Sequence, residues 1–228
     1  MHLSSNVLSR LAAHGGLLVA ALVGVVSPAA IAAEPAAPSV VLDADEMVDD
    51  RSQAEWAEAY LQWVAAFARS NSPVSDTSGA LCAQKQQGNV WFLATSDGVV
   101  PAVVRDCVVP LGKTLFVPIA STLERSGSAT PDCEALARVA ANTLSQHLSQ
   151  MMLTIDGRPV DDLFGHRLGT GDCFALDLRQ ALRSTARTAV ADGFYVMLRP
   201  LAAGPHTIVV GARFDSTTMS TTYRLDVR

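Results

Sequence analysis

Lysine is almost missing from this chain: Lys85 and Lys113 are the only two in 228 residues. No run of basic residues compensates, and the formal charge is −5. A mildly acidic chain without a basic patch argues against nucleic acid and anionic membranes as partners. Long apolar stretches are also scarce. One run, Gly16 to Val26, precedes Pro28, and nothing comparable follows. A spanning helix needs about 20 apolar residues, so the remainder is expected to be soluble. No C-x-x-C pair occurs among the four cysteines, which speaks against zinc. Gly-x-Ser-x-Gly is absent, and so is the pair of histidines one helical turn apart with a glutamate between them. The elbow-type serine hydrolases and the zinc proteases lose their signatures with them. Gly169-Thr170-Gly171 is too short for a phosphate loop and lacks its lysine. No cofactor and no metal are expected.

What is present begins with an export signal. Met1 to Arg10 is short and polar, with one positive charge and no acid. The apolar run comes next, and Ala30-Ile31-Ala32 offers the small residues that signal peptidase reads. Residues 1–32 are therefore expected to be a cleaved signal peptide, and the mature protein to be periplasmic or secreted. In that oxidising setting Cys82, Cys107, Cys133 and Cys173 are expected to form disulfides. Four cysteines allow three pairings. Cys82–Cys107 with Cys133–Cys173 is favoured, because the first pair flanks a local strand–turn–strand unit. Paired sulfurs also leave no cysteine nucleophile.

Residues 33–50 are rich in Ala, Pro and acids and read as a flexible lead-in. The acids are spaced for a hard cation, but the glycine at the bend and the closing Glu of an ordered calcium loop are missing. Residues 51–228 are expected to form one domain. Ser52-Gln53-Ala54-Glu55 is a capping box, and Trp56, Tyr60, Trp63 and Phe67 follow on one helical stripe to about Ser70. That stripe is either a stacking platform for a flat ligand or a face docked on the core, and helical spacing favours docking.

From Ala80 the pattern turns to strands. Val90–Ala94 is continuously apolar, as in a strand covered on both faces. Val99–Val104 and Thr114–Ile119 read as further strands, with Pro101, Pro110 and Pro118 at edges or ends. Pro131–Gln150 reads as a second helix, capped by Thr130 or Asp132. Met151–Ile155 alternates up to an Asp156-Gly157 hairpin turn. Cys173–Leu178 reads as a strand and Gln180–Ala191 as a weaker third helix. Phe194–Pro200, Ile208–Phe214 and Tyr223–Val227 close the chain as strands. The fold class is mostly β, an α+β antiparallel sandwich with Ig-like or jelly-roll connections, one N-terminal helix and one or two inserted helices.

Four segments carry a resemblance. They are Val90-Trp91-Phe92-Leu93-Ala94; Arg105-x-Cys107-x-Val109-Pro110-x-Gly112-Lys113-x-Leu115-Phe116-x-Pro118-Ile119; Asp192-Gly193-x-Tyr195-Val196-Met197-Leu198; and Gly204-Pro205-His206-Thr207-Ile208. Together they resemble a family of uncharacterised exported bacterial proteins, over most of the chain from the Trp56 helix onward. The resemblance implies export and a shared fold, and it carries over no catalytic residue. Thr95 stands where such proteins usually have Gly, and Asn89 where Pro is common.

For a binding site the sequence offers Trp91, Gln87, Arg105, Lys113 and His206. Arg105 and Lys113, with Gln86 and Gln87 beside them, flank the Trp91 strand and would attract an anion if they faced a cleft. His206 follows Gly-Pro at a strand start, where a turn-capping hydrogen bond is its simpler role. His147, His166 and His206 stand alone in sequence, and only convergence with Asp161, Asp162 or Asp172 would make them a metal site. Asp97, Asp106 and Glu124 are possible paired carboxylates by location alone. The readings are a non-catalytic binding module for a glycan, envelope component or partner protein; a hydrolase or lyase built from distant loops; and a structural envelope protein.

Overall fold

The computed structural model describes residues 39–178 and 186–228. The expected signal peptide and the start of the expected third helix lie outside them. Ser52 caps the first helix, α1 (Gln53–Ala65), as the sequence requires. The Glu55 amide donates to the Ser52 hydroxyl, and the Ser52 amide donates to the Glu55 carboxylate at 2.8 Å. The aromatic stripe of α1 faces inward: Trp56, Tyr60, Trp63 and Phe67 are all buried. Docking, not stacking of a ligand, is their role. The indole of Trp56 donates to the Val48 carbonyl and that of Trp63 to Gln84, each at 2.9 Å, so the polar handle of each ring is satisfied.

Ten strands follow: β1 (Val90–Phe92), β2 (Ala102–Val109), β3 (Thr114–Ser126), β4 (Leu148–Ile155), β5 (Arg158–Pro159), β6 (Arg167–Gly169), β7 (Phe174–Ala175), β8 (Thr188–Leu198), β9 (Gly204–Phe214) and β10 (Thr217–Val227). The second helix, α2 (Cys133–His147), runs directly into β4 and is capped by Asp132, which accepts from the Ala135 amide. The strands form two five-stranded sheets. One has the order β1-β3-β8-β6, with β7 also on β8; the other is β2-β10-β9-β4-β5. Both are mixed, because β1 runs parallel to β3 and β2 parallel to β10.

The first sheet is covered on both faces, which explains its unbroken apolar runs. Leu115, Val117, Phe194, Val196 and Leu198 point toward the second sheet and meet Leu153, Ile208, Val210, Tyr223 and Leu225. Phe116, Tyr195 and Met197 point the other way and pack under α1. The second sheet has one wet face, and β2 alternates strictly between exposed and buried. The result is a sandwich with a helix on its outer side.

Several expectations need correction. Residues 188–191 belong to β8, not to a helix; paired with β3 and β7, they take the conformation that tertiary packing dictates. Pro118 lies inside β3, not at its end. It is tolerated there because β1 pairs only as far as Phe116 and the register with β8 slips between Pro118 and Ala120. The acidic lead-in is fixed from residue 39 onward. Val41 bridges Leu198, Leu42 is buried, and Arg199 holds Glu46 through two bonds of 2.8 and 2.7 Å. The pairs Cys82–Cys107 and Cys133–Cys173 are formed as expected. The first ties the segment 76–82 over the free edge of β2, where the Asp106 amide donates to the Ser78 carbonyl at 2.9 Å. Gly79 makes that approach possible: at φ +93° a Cβ there would lie 2.4 Å from the Asp106 carbonyl oxygen.

Candidate functional site

The residues singled out around Trp91 do not gather into one site. Trp91 is buried and its indole nitrogen has no partner among the described residues. Gln87 is exposed. Gln86 is a bracket that bonds the Cys82 and Phe92 carbonyls and the Phe92 amide. Lys113 donates to the Gly88 carbonyl. Arg105 faces no cleft. Strand alternation turns it into the sandwich, where it is 1% exposed, and its guanidinium donates to the carbonyls of Val74, Asp76, Ala94 and Thr95 and to the Tyr223 hydroxyl. It is a clamp on backbone, not an anion hook. The three possible acids are scattered. Asp97 accepts from Ser75, Asp106 faces Arg224 at 3.6 Å, and Glu124 lies opposite Val190 in the first sheet.

His206, in contrast, stands on the wall of an open cleft of about 880 Å³. The cleft lies at the end of the sandwich where β4 and β8 finish and β9 begins. Its walls are the stretch Ser39–Asp43, the hairpin around Asp156 with Arg158–Asp162, His166, and the Pro200–Ala202 connection. The hairpin forms because Asp156 (φ 51°) and Gly157 (φ 76°) both take the left-handed turn that two-residue hairpins need. Sequence reasoning placed this turn correctly and missed that it walls a cleft. The Ser39–Asp43 and Pro200–Ala202 walls carry no local signal at all.

Two histidines in the cleft differ in charge. His206 Nδ1 lies 2.7 Å from the Asp156 carboxylate and its Nε2 lies 3.0 Å from the Ala202 carbonyl. Two acceptors on one imidazole require two ring protons, so the ring is a cation. Burial opposes that charge. The hydrogen bonds to Asp156 and Ala202 and the Asp156 charge together outweigh it, and the pKa sits above the ordinary histidine value. For Asp156, burial works toward the neutral form, but the Thr207 amide, His206 and Arg158 prevail and lower its pKa. His166 is the opposite case. Burial drives its pKa below the ordinary value, against the pull of Asp162 and Asp43. Its Nδ1 has no partner among the described residues. A buried nitrogen left bare costs about 1–3 kcal/mol, the kind of debt that functional sites carry.

Asp43 and Asp162 act on His166 electrostatically, and their carboxylates and that of Asp161 are all exposed at the cleft. Among the described residues none of the three accepts a hydrogen bond or pairs with a cation within 4 Å. Asp162 holds a left-handed backbone at φ 53°, an unusual conformation for a residue with a side chain. His147 is not part of this group: it pairs with Asp215 at 3.0 Å beside the start of β4, at the other end of that strand. Asp172 lies in the loop between β6 and β7 and does not line the cleft. No set of three or more His, Cys, Asp or Glu among the described residues is arranged to hold a metal ion. A second groove, of about 400 Å³, carries Met151, Met152, Met219 and the 73%-exposed Phe164 on the far side of the His166 turn. Among the described residues no helix is long and apolar enough to cross a membrane.

No family model and no curated protein matches the chain. Among solved structures it is similar to PbICP-C in complex with falcipain-2, at 10% identity and a TM-score of 0.29, over 62% of this chain and 100% of that one. It is also similar to amebosin in its solution structure, at 8% identity and a TM-score of 0.22, over 56% of this chain and 96% of that one. Likeness this faint carries no argument about what the chain binds.

Proposed function

We propose that this protein is an exported, non-catalytic binding module. Its ligand, a glycan, an envelope component or a partner protein, enters the cleft between Ser39–Asp43, the Asp156 hairpin and the Pro200–Ala202 connection. The observation that carries the reading is the state of the cleft's own groups. His206 has both nitrogens committed and no lone pair for base chemistry. The one cleft serine, Ser39, accepts from the Val41 amide and has no hydrogen bond to a histidine. All four cysteines are paired, so no thiolate is available. What remains is an open surface of mixed polar and apolar residues fixed by strand ends, which suits recognition. The two disulfides also support folding outside the cytoplasm.

A second reading, an acid–base hydrolase or lyase, is favoured by one residue. His166 is neutral, buried and close to Asp162 and Asp43, the surroundings of a general base. Against it, no carboxylate orients the ring through a hydrogen bond among the described residues, as a base in a triad requires.

A binding screen of glycans and peptides on the oxidised protein, followed by hydrolysis assays on whatever binds, separates the two. Ligand retained unchanged and lost from an Asp161→Asn/Asp162→Asn variant supports the module. Turnover abolished by His166→Gln establishes the enzyme instead. Sequencing the N-terminus of the protein recovered from its host tests export. A start just after Ala32 is expected, and an intact residue 1 would sink it.

A further inference from the structure

The first half of α2 is fastened differently from the second. Residues 127–139, the connection after β3 and the first turns of the helix, include no buried residue. Leu136 is only half-buried and Val139 is 49% exposed. The buried residues of α2 are Ala140 and Leu144. From there on other elements hold the helix: the Thr122 hydroxyl donates to the Ala140 carbonyl at 2.8 Å, and Arg167 donates to the Ala141 carbonyl at 3.0 Å. Before residue 140 the bonds are local. The Ser128 amide donates to Ser126, the Thr130 amide to Ser128, the Ala135 amide to Asp132, and Arg138 to Glu134. Among the described residues no hydrogen bond or ion pair joins 127–139 to any residue before Ser126 or beyond the helix. Cys133, the first residue of α2, carries the one covalent tie, to Cys173 in the loop before β7.

The two disulfides differ in what keeps their sulfurs together. Cys107 is 5% exposed and lies opposite Leu225 in the second sheet. The segment that carries Cys82 stays on β2 through the Asp106–Ser78 bond and the bond from Arg105 to the Asp76 carbonyl. Those two thiols would remain neighbours once opened. Cys133 and Cys173 are both half-buried, so a thiolate can reach either sulfur. Cys173 is placed by Phe174, which is buried and paired with Ala189. Cys133 is placed by the bridge. A disulfide resists reduction in proportion to the concentration at which the fold presents its two thiols to each other, and exposed bridges are the ones that exchange.

We infer that Cys133–Cys173 is an exchange site for a dithiol reductant, and that opening it releases residues 127–139 as a latch while the rest of the domain stays folded. One thiolate of the reductant attacks a sulfur of the bridge. The S–S bond breaks, a mixed disulfide forms, and the other cysteine leaves as a thiolate and takes up a proton. The second thiol of the reductant then attacks the mixed disulfide, which frees the second cysteine and closes the reductant's own disulfide. Two electrons pass to the bridge. α2 packs against β3 and β8, so a freed first half changes what that flank of the molecule presents.

The test uses the full, oxidised chain equilibrated in mixtures of reduced and oxidised dithiothreitol, trapped with iodoacetamide and read by peptide mass spectrometry. Cys133 and Cys173 should be alkylated at a ratio of reduced to oxidised reagent about tenfold lower than Cys82 and Cys107 require. With that bridge alone open, hydrogen exchange should quicken at amides 136–139 and stay unchanged at 144–147 and in β9. A Cys133→Ser/Cys173→Ser variant should show the same quickening without reagent, and Cys82→Ser/Cys107→Ser should leave amides 136–139 slow. Should the first variant not fold, the wild-type chain, reduced and alkylated after folding, decides by the same readout. The inference is overturned if Cys82 and Cys107 are alkylated first or at the same ratio. It is overturned equally if amides 136–139 exchange no faster once the bridge is open. Quickening of β9 along with them would also sink it, because the bridge would then hold the whole fold.

Discussion

Arg105 and Tyr223 stand side by side on two parallel strands, and the guanidinium donates to the phenol oxygen at 2.7 Å while the phenol donates to the Ala94 carbonyl. Around this pair the carbonyls of Val74, Asp76 and Thr95 complete the shell. Burial holds the Tyr223 pKa above its usual value, although Arg105 pulls it down. The positive charge is thus dispersed over backbone dipoles and ties the β1 exit, the 74–76 loop and β10 together.

Replacing Arg105 by Met is expected to strand those acceptors inside the sandwich. A loss of about 3–5 kcal/mol follows from removing one side of a buried charged network. Arg105→Lys should recover only part of it, because an ammonium lacks the planar fork. Urea titrations read both values. A Met variant within about 1 kcal/mol of the parent would show that the network is dispensable.

Trp63 anchors α1, with edge and tilted contacts to Phe67 and Phe92 at 5.6 Å and a hydrogen bond to Gln84. Trp63→Ala should lower stability by about 3–5 kcal/mol, as for other large core truncations. Ligand binding per folded molecule should be unchanged. A stable variant that had lost its ligand would return the stripe to a binding role.

Gly79 allows the 76–82 segment to lie on β2, and Cys82–Cys107 fastens it there. Gly79→Ala should destabilise by more than about 1 kcal/mol, since both the positive φ and the close approach oppose a side chain. Opening the bridge, which closes a loop with a sequence separation of 25, should cost about 3 kcal/mol. In both variants hydrogen exchange should quicken at the Asp106 amide before it does in β9. Uniform quickening would mean that the segment is no separate cover.

The pH dependence follows from the cleft's histidines. His206 titrates above the ordinary histidine value, so its contribution is complete below that value and fades as pH rises through the higher one. Asp156 titrates below the ordinary carboxylate value, so its share is complete above that value and fades in acid. The pair therefore holds the hairpin best between those two ordinary values. His166 acts in the other sense. Its pKa is lowered, so the unfolded chain takes up the proton first and stability falls as pH drops below the ordinary histidine value. Urea midpoints from about pH 4 to about pH 9 should lose the alkaline decline in His206→Gln and the step below neutrality in His166→Gln. Identical profiles in all three proteins would refute the assignments.

How far the fold was legible depends on how local each signal is. The Ser52 cap, the Trp56–Phe67 stripe and the Asp156-Gly157 turn are set by neighbours within a few residues, and each forms where its pattern lies. Residues 188–191 have helix-compatible composition and became strand because β3 and β7 pair with them. Arg105 reads in the sequence as an anion-attracting candidate just beyond a strand ending at Val104, but β2 runs on to Val109. One more turn of the alternation puts it inside.

Alone, the sequence determined the mostly β class and the capped, aromatic first helix, since these rest on periodicity, and it favoured one of three disulfide pairings without deciding among them. Only the tertiary structure decided that Arg105 is a buried clamp and that His166, His206, Asp43, Asp161 and Asp162 share one cleft. These five come from four stretches of chain, spanning residues 43 to 206. The ends of β4 and β8 and the start of β9 bring them together, and no local pattern records which strand ends meet.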